Sequence, residues 1–169
     1  MSTGELPATA ITGADFGRAL TALCVKLARD IVSQGEGVSK ILECTVDSET
    51  SETFSRQVAK QIINSPLFKC AMNGGDPNWG RIVMAIGKGW TDDSPAIFTP
   101  EMLTIGLQGI TVLEKGRAIP LDLSTLARRI KDERVVEISV LIGQGGVRAR
   151  AWGADLTAEY VSINADYTT

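Results

Sequence analysis

The chain contains no histidine. That absence removes serine-histidine-aspartate and cysteine-histidine nucleophile systems, histidine-ligated metals and the commonest general base together. Any chemistry must therefore rest on carboxylates, lysine, hydroxyls, backbone amides or groups supplied by another chain. Cysteine is scarce as well. Cys24, Cys44 and Cys70 are an odd number at wide spacing with no Cys-x-x-Cys, which fits neither a disulfide framework nor a zinc site. Apolar neighbours flank each of them, so three small buried hydrophobes are expected. Long apolar runs are missing: Ile82 to Ile86 falls far short of the roughly 20 residues that cross a bilayer. The N-terminus also lacks the basic-then-apolar pattern of a secretory signal. Basic clusters are missing too, since nothing exceeds Ala127-Arg128-Arg129 and the net charge is -3, so no surface is suited to displacing counterions from nucleic acid or anionic lipid. The absences predict a cytoplasmic chain with no nucleic-acid and no membrane partner.

What is present is ordinary globular composition: 169 residues, 44% hydrophobic, 22% charged and 5% aromatic. This length suits one domain with a sizeable core. Residues 1–12 read as an extended lead-in and 13–169 as a single α/β domain. Thr12 with Asp15 three residues on matches a capping box, and Phe16, Leu20, Leu23, Cys24, Leu27 and Ile31 follow at helical spacing to about Ser33. Lys40 to Val46 has the β-branched content of a strand. A second helix is predicted from about Ser51, with Phe54, Val58 and Ile62 on one face, ending before Ser65-Pro66. A short helical piece over Pro66 to Met72 closes at Asn73-Gly74-Gly75. Asp76-Pro77 then reads as an N-cap and first-turn proline of a helix that contains Ile82, Val83 and Ile86 and ends at Gly87 to Gly89.

Residues 91–101 read as a surface loop. Leu103 to Leu107 and Ile110 to Leu113 flank the Gln108-Gly109 turn as a hairpin. Asp122 to about Lys131 is a helix with Leu123, Leu126 and Ile130 inward. Val135 to Ile142 and Val147 to Trp152 read as another hairpin, with Arg148, Arg150 and Trp152 on one face. The predicted class is α/β (α+β), a mostly antiparallel sheet with packed helices.

Four segments are candidates for function. Gly143-Gln144-Gly145-Gly146 leads into a strand, where a phosphate loop would run into a helix, so a turn is the better reading. In Gly35-Glu36-Gly37 the glycines permit positive φ and close approach of a ligand, and Glu36 could accept a proton or pair with an ammonium. From this tripeptide alone an exposed glutamate in a helix-ending turn is favoured. In the Asp76 to Arg81 segment Asp76 is placed to cap, Trp79 to pack and Arg81 to make a bidentate carboxylate pair. The tail crowds Asn164, Asp166, Tyr167, Thr168 and Thr169 together; on composition alone a frayed end and one anchored by Tyr160, Val161 and Ile163 are equally good readings.

Taken in order, Asp30 to Gly37, Asn64 to Leu67, Gly75 to Ile82, Trp152 to Thr157 and Ile163 to Thr169 resemble the ornithine acetyltransferases of arginine biosynthesis, also called glutamate N-acetyltransferases, in the C-terminal part of their β-subunit. The resemblance covers nearly the whole chain from about residue 13. It implies a precursor that cleaves itself before a threonine, whose new N-terminal hydroxyl takes acetyl from N2-acetylornithine and passes it to glutamate. An N-terminal threonine can use its own amine as base, which agrees with a chain that has no histidine.

Carried over by position, Glu36 matches a substrate-binding glutamate, and Asn164 and Thr169 match two tail positions that contact substrate. The family's nucleophilic threonine, oxyanion Thr-Gly pair and a lysine have no counterpart, and Met1-Ser2-Thr3 does not resemble the cleavage site. The implied chain has no catalytic residue of its own, no metal and no cofactor, with acetyl-CoA as an alternative acetyl donor. It works as a hetero-oligomer with the α-subunit and the N-terminal part of the β-subunit, and is inactive by itself. Two other readings stay open. One is a family paralogue acting on other N-acetyl amino acids in a secondary pathway, such as that associated with clavulanic acid. The other is a non-catalytic assembly or ligand-binding domain.

Overall fold

The computed structural model describes residues 12–88 and 99–166. The lead-in over residues 1–11, residues 91–98 of the expected loop, Gly89, and Tyr167 to Thr169 lie outside the described residues.

Capping chemistry sets most helix starts. Helix α1, Gly13–Ser33, opens on a complete capping box: the Asp15 amide donates to Thr12 Oγ1 at 3.1 Å and the Thr12 amide donates to Asp15 Oδ2 at 3.1 Å. Helix α2, Glu52–Ile63, starts from Ser51, whose hydroxyl accepts from the Phe54 amide, and α3, Pro66–Gly74, starts from Ser65 in the same way. Gly75 ends α3 in the left-handed region at φ 72°, with its amide donating to Met72 and the next, from Asp76, donating to Ala71.

This closure corrects the reading of Asp76 as a helix N-cap. Its backbone is still finishing α3, and α4, Gly80–Lys88, begins four residues later. Among the described residues Arg81 likewise makes no carboxylate pair; its guanidinium donates to the Leu67 carbonyl and so ties the start of α4 to the first turn of α3. Trp79 packs partly buried against the core, as expected.

The sheet is one layer of six strands in the order β4-β3-β2-β5-β1-β6. The strands are β1 (Ile41–Ser48), β2 (Leu103–Leu107), β3 (Ile110–Glu114), β4 (Arg117–Ala118), β5 (Val135–Ile142) and β6 (Val147–Ala154). A single 3-10 turn, Pro100–Met102, leads into β2, and α5, Leu123–Asp132, separates β4 from β5. The β1–β5 pair is parallel and every other pair is antiparallel, in keeping with the expected class.

The predicted β2–β3 hairpin forms, with Gln108 at φ 49° and Gly109 at φ 73° as a turn of the primed type requires. The second predicted hairpin does not. β1 lies between β5 and β6, parallel to one and antiparallel to the other. The glycine run makes this arrangement stable by gripping the end of β1. The Gln144 amide donates to Glu49 Oε2 at 2.9 Å and the Gly146 amide to Asp47 Oδ1 at 2.7 Å. A Cβ on Gly143 would fall 2.5 Å from the Glu49 carboxylate, so the side-chain-free backbone is what admits these acids. The run therefore cradles anions after all, but they are the chain's own carboxylates.

Alternation gives the sheet two unlike faces. Leu42, Cys44, Val46, Val136, Ile138, Val140, Ile105 and Leu107 point to the side covered by helices and form the core with Phe54, Val58 and Ile62 of α2, Phe68 and Met72 of α3, Ile82 and Ile86 of α4, and Leu126 and Ile130 of α5. Leu123 departs from its expected inward place and is 39% exposed. The opposite face carries Glu43, Thr45 and Asp47 of β1, opposed by Trp152, Arg150 and Arg148 of β6, so the three β6 residues share a face as predicted. Among the cysteines only Cys44 is buried, and burial pushes its thiol far up; Cys24 and Cys70 are exposed, against expectation. Cys24 is exposed because α1, whose apolar stripe it shares, buries no residue at all.

Candidate functional site

Two of the three residues proposed for substrate contact, Glu36 and Asn164, come from opposite ends of the chain, and one corner of the fold brings their segments together. The C-terminal end of α1 is held by Arg134, which donates to the Ser33 carbonyl at 2.8 Å and supplies the cation that the last turn of the helix lacks. The chain then turns over Gly35-Glu36-Gly37, closed by the Val38 amide donating to the Gly35 carbonyl at 3.3 Å. Gly37 sits at φ 63°, the sign a turn of type II demands at its third residue.

The turn packs against the first turn of α6, Ala158–Asp166. Thr157 is the joint: its hydroxyl donates to the Gly37 carbonyl at 2.7 Å and accepts from the Tyr160 amide at 2.9 Å. The approach is so close that a Cβ on Gly37 would stand 2.6 Å from the Tyr160 nitrogen. Gly37 is thus required twice, for its φ and for the contact. One turn along α6, Asn164 donates to the Tyr160 carbonyl at 2.9 Å.

Beneath this contact lies Asp155, 4% exposed. One carboxylate oxygen accepts from the amides of Ser39 at 3.0 Å and Lys40 at 2.9 Å, and the other from the Ser39 hydroxyl and from Asn73 Nδ2 at 2.9 Å. Four donors satisfy a buried charge that would otherwise be expensive. Lys40, 7% exposed, sends its ammonium to the carbonyls of Lys131 at 2.9 Å and Glu133 at 3.1 Å, at the negative end of α5. An open cavity of about 480 Å³ beside these groups is lined by Ser39, Lys40, Asn73 and the chain from Lys131 to Arg134.

Glu36 and Asn164 are both exposed, and Glu36 has no hydrogen-bond or ion-pair partner among the described residues. Among the described residues Glu36 and Asn164 therefore line an open corner and not an enclosed pocket. Thr169, the third proposed residue, lies outside the described residues, as do Tyr167 and Thr168. Tyr160, Val161 and Ile163 do not anchor α6 by burial, being 43%, 52% and 37% exposed; the helix is held at its start, by Thr157 and Gly37. The supports missed in the sequence are Asn73, Asp155 and Thr157. Asp155 and Thr157 fall in the Trp152 to Thr157 segment noted above, and a threonine just before an acidic helix start is a capping signal.

A second cavity, about 350 Å³, lies on the polar sheet face between Glu43, Glu137, Ser139, Arg150 and Trp152. Glu43 is met there by Arg29 of α1 at 2.6 Å. Among the described residues no three acidic or cysteine side chains converge as a metal site needs.

The family model described as the ArgJ family matches residues 1–169. The arginine biosynthesis bifunctional protein ArgJ 2 of Clostridium acetobutylicum is 39% identical over 153 residues, which is 90% of this chain and 38% of that protein. The ArgJ of Zymomonas mobilis is 43% identical over 150 residues, 88% of this chain and 35% of its own. The crystal structure of arginine biosynthesis bifunctional protein ArgJ from Bacillus halodurans superimposes with a TM-score of 0.85 at 34% identity, over 96% of this chain and 74% of that one. The chain thus spans little more than a third of the length of these two relatives. With a family model along its whole length and a matching fold, the chain belongs to the ArgJ family.

Proposed function

We propose that this chain is part of an acetyltransferase that moves the acetyl group of N2-acetylornithine to glutamate, and that it contributes substrate-binding residues but not the nucleophile. The observation that carries the reading is the joining of the Glu36 turn to α6 through Gly37, Thr157 and Tyr160. It sets an uncommitted carboxylate near the helix that bears Asn164 and leads to Thr169. A carboxylate free of protein partners is what an amino-acid ammonium needs, and the amide suits a polar end of the same ligand.

In the proposed cycle the hydroxyl of an N-terminal threonine, on a segment of the enzyme other than this one, attacks the acetyl carbonyl while its own amine takes the proton. The amide C–N bond breaks and ornithine leaves with the proton; glutamate's amine then attacks the ester and regenerates the hydroxyl. Glu36, Asn164 and Thr169 bind and orient the two amino acids. No cofactor is required, and acetyl-CoA is an alternative donor. The reading carries a cytoplasmic location and a hetero-oligomer with the α-subunit and the N-terminal part of the β-subunit.

The test is turnover. The purified 169-residue chain should release no ornithine from N2-acetylornithine in the presence of glutamate, because the nucleophile and its oxyanion donors supply the dominant catalytic terms. In an assembled enzyme that includes this chain, Glu36→Ala should raise KM or lower turnover while self-cleavage proceeds. Turnover by the isolated chain, or equal loss of cleavage and turnover in the variant, would refute the assignment.

A further inference from the structure

Strand register lays out the polar face of the sheet in rows. The neighbours β5, β1 and β6 place Glu137, Glu43 and Trp152 in one row and Ser139, Thr45 and Arg150 in the next. All six line the cavity of about 350 Å³, a volume within the range of small-molecule sites. The first row carries an excess of negative charge. Glu43 and Glu137 stand directly opposite each other, an arrangement that disfavours both carboxylates, and Arg29 of α1 meets only Glu43. Even there Glu43 Oε1 is buried without a hydrogen-bond donor, because Arg29 approaches at 2.6 Å outside the directions that a hydrogen bond allows. The second row has the opposite deficit. Asp47, one row further on, is taken by Arg148. Among the described residues neither the Arg150 guanidinium nor the Glu137 carboxylate has a hydrogen-bond or ion-pair partner.

We infer that this cavity binds a free α-amino acid that carries a guanidinium on its side chain. The cation sits between Glu43 and Glu137, where two carboxylates share one protein cation, and donates to the buried Glu43 oxygen that lacks a donor. A guanidinium is planar, so it forks onto a carboxylate and lies flat on the indole of Trp152, which an ammonium does less well. The ligand's own carboxylate takes Arg150, with the Ser139 and Thr45 hydroxyls beside it as further donors. The two rows are two residues apart, about 7 Å along the strands, a span that an extended arginine-length ligand covers with one charged end on each row. The cavity shares no lining residue with the Glu36 corner, and its occupation needs no acetyl transfer.

The test is isothermal titration calorimetry of the 169-residue chain with L-arginine as the probe, which should show saturable binding. L-citrulline keeps the shape but replaces the guanidinium with a neutral group, and agmatine lacks the carboxylate; each should bind more weakly, on the order of tenfold or more. Glu137→Gln and Arg150→Gln, both at exposed positions, should weaken L-arginine to a similar extent. Glu114→Gln, at an exposed acid on β3 outside the cavity, should leave its affinity unchanged. No saturation by ~10 mM L-arginine, or equal affinity for L-arginine and L-citrulline, would overturn the inference. So would equal losses in Glu137→Gln and Glu114→Gln, which would mean attraction to net charge alone. Binding that survives Glu137→Gln but is lost in Glu36→Ala would put the ligand at the corner and overturn it as well.

Discussion

Removing the Asp155 carboxylate should cost more than any other single polar change at the corner. In Asp155→Ala the amides of Ser39 and Lys40, the Ser39 hydroxyl and Asn73 Nδ2 lose their acceptor together. Hydrogen bonds to a charged group contribute about 1.5–3 kcal/mol each, and they are not additive. Ser39 is exposed and can turn to water, but the Lys40 amide belongs to a buried residue and cannot. The expected loss is therefore about 3–4 kcal/mol, which at a urea m-value near 2 kcal/mol/M moves the midpoint down by roughly 1.5–2 M. Asp155→Asn keeps an oxygen for the two amides and should lose about half as much. The assay is equilibrium urea unfolding of the 169-residue chain by far-UV circular dichroism, with Asn73→Ala added to complete a cycle. Asn73→Ala should cost about 1 kcal/mol in the parent and nothing further once Asp155 is alanine. A midpoint shift below ~0.3 M for Asp155→Ala, or full additivity with Asn73→Ala, would mean that the four-donor lock does not exist in solution.

Gly37→Ala must place a side chain at φ 63° and 2.6 Å from the Tyr160 nitrogen, so it should destabilise by about 3 kcal/mol. Gly74→Ala, with open space where its Cβ would go and a helical place at the end of α3, should be neutral or gain about 0.5 kcal/mol, and thermal unfolding of the pair separates conformation from bulk. The Asp47 carboxyl is held below its ordinary range by the Arg148 guanidinium and then by the Gly146 amide. A depressed folded pKa adds stability above the unfolded value of about 3.8 and loses it as pH falls through the folded value. Asp47→Asn should accordingly lower Tm at pH 6 and lose that effect progressively as pH falls below the ordinary carboxylate range, and a gap that stays constant on acidification would contradict the assignment. Finally, a thiol titration of the native chain should find two fast groups, Cys24 and Cys70, and a third, Cys44, that reacts only on unfolding.

The parts of the fold legible from residue order are those decided within three or four residues. Thr12, Ser51, Ser65 and Asp122 each cap a helix through an amide two or three positions on, and Gln108-Gly109 selects its own turn. Asp76 shows the limit of such reasoning, because an acid before proline satisfies the rule for starting a helix while its amide is committed to ending the previous one. The Val135 to Trp152 segment shows a deeper limit. Two strands around a glycine-rich loop are a hairpin by every local rule, yet the acids that grip the loop stand 95 and 99 residues away. Burial of Cys24 is not legible for a related reason: helical periodicity tells which side of α1 is apolar but not whether anything lies against it.

The candidate site divides along the same line. Glu36 and Asn164 could be singled out in the sequence, whereas the contacts that bring their segments together run through Gly37, Asp155 and Thr157 across separations of 115 to 120 residues. Those contacts lie on the inner side of the corner and are complete within this chain; the outer side is bare apolar helix. Asp155→Ala removes bonds made wholly among these residues, so its loss of stability should appear undiminished in the isolated chain. A corner whose contacts are complete among these residues keeps the Glu36 turn in place without help from any other segment.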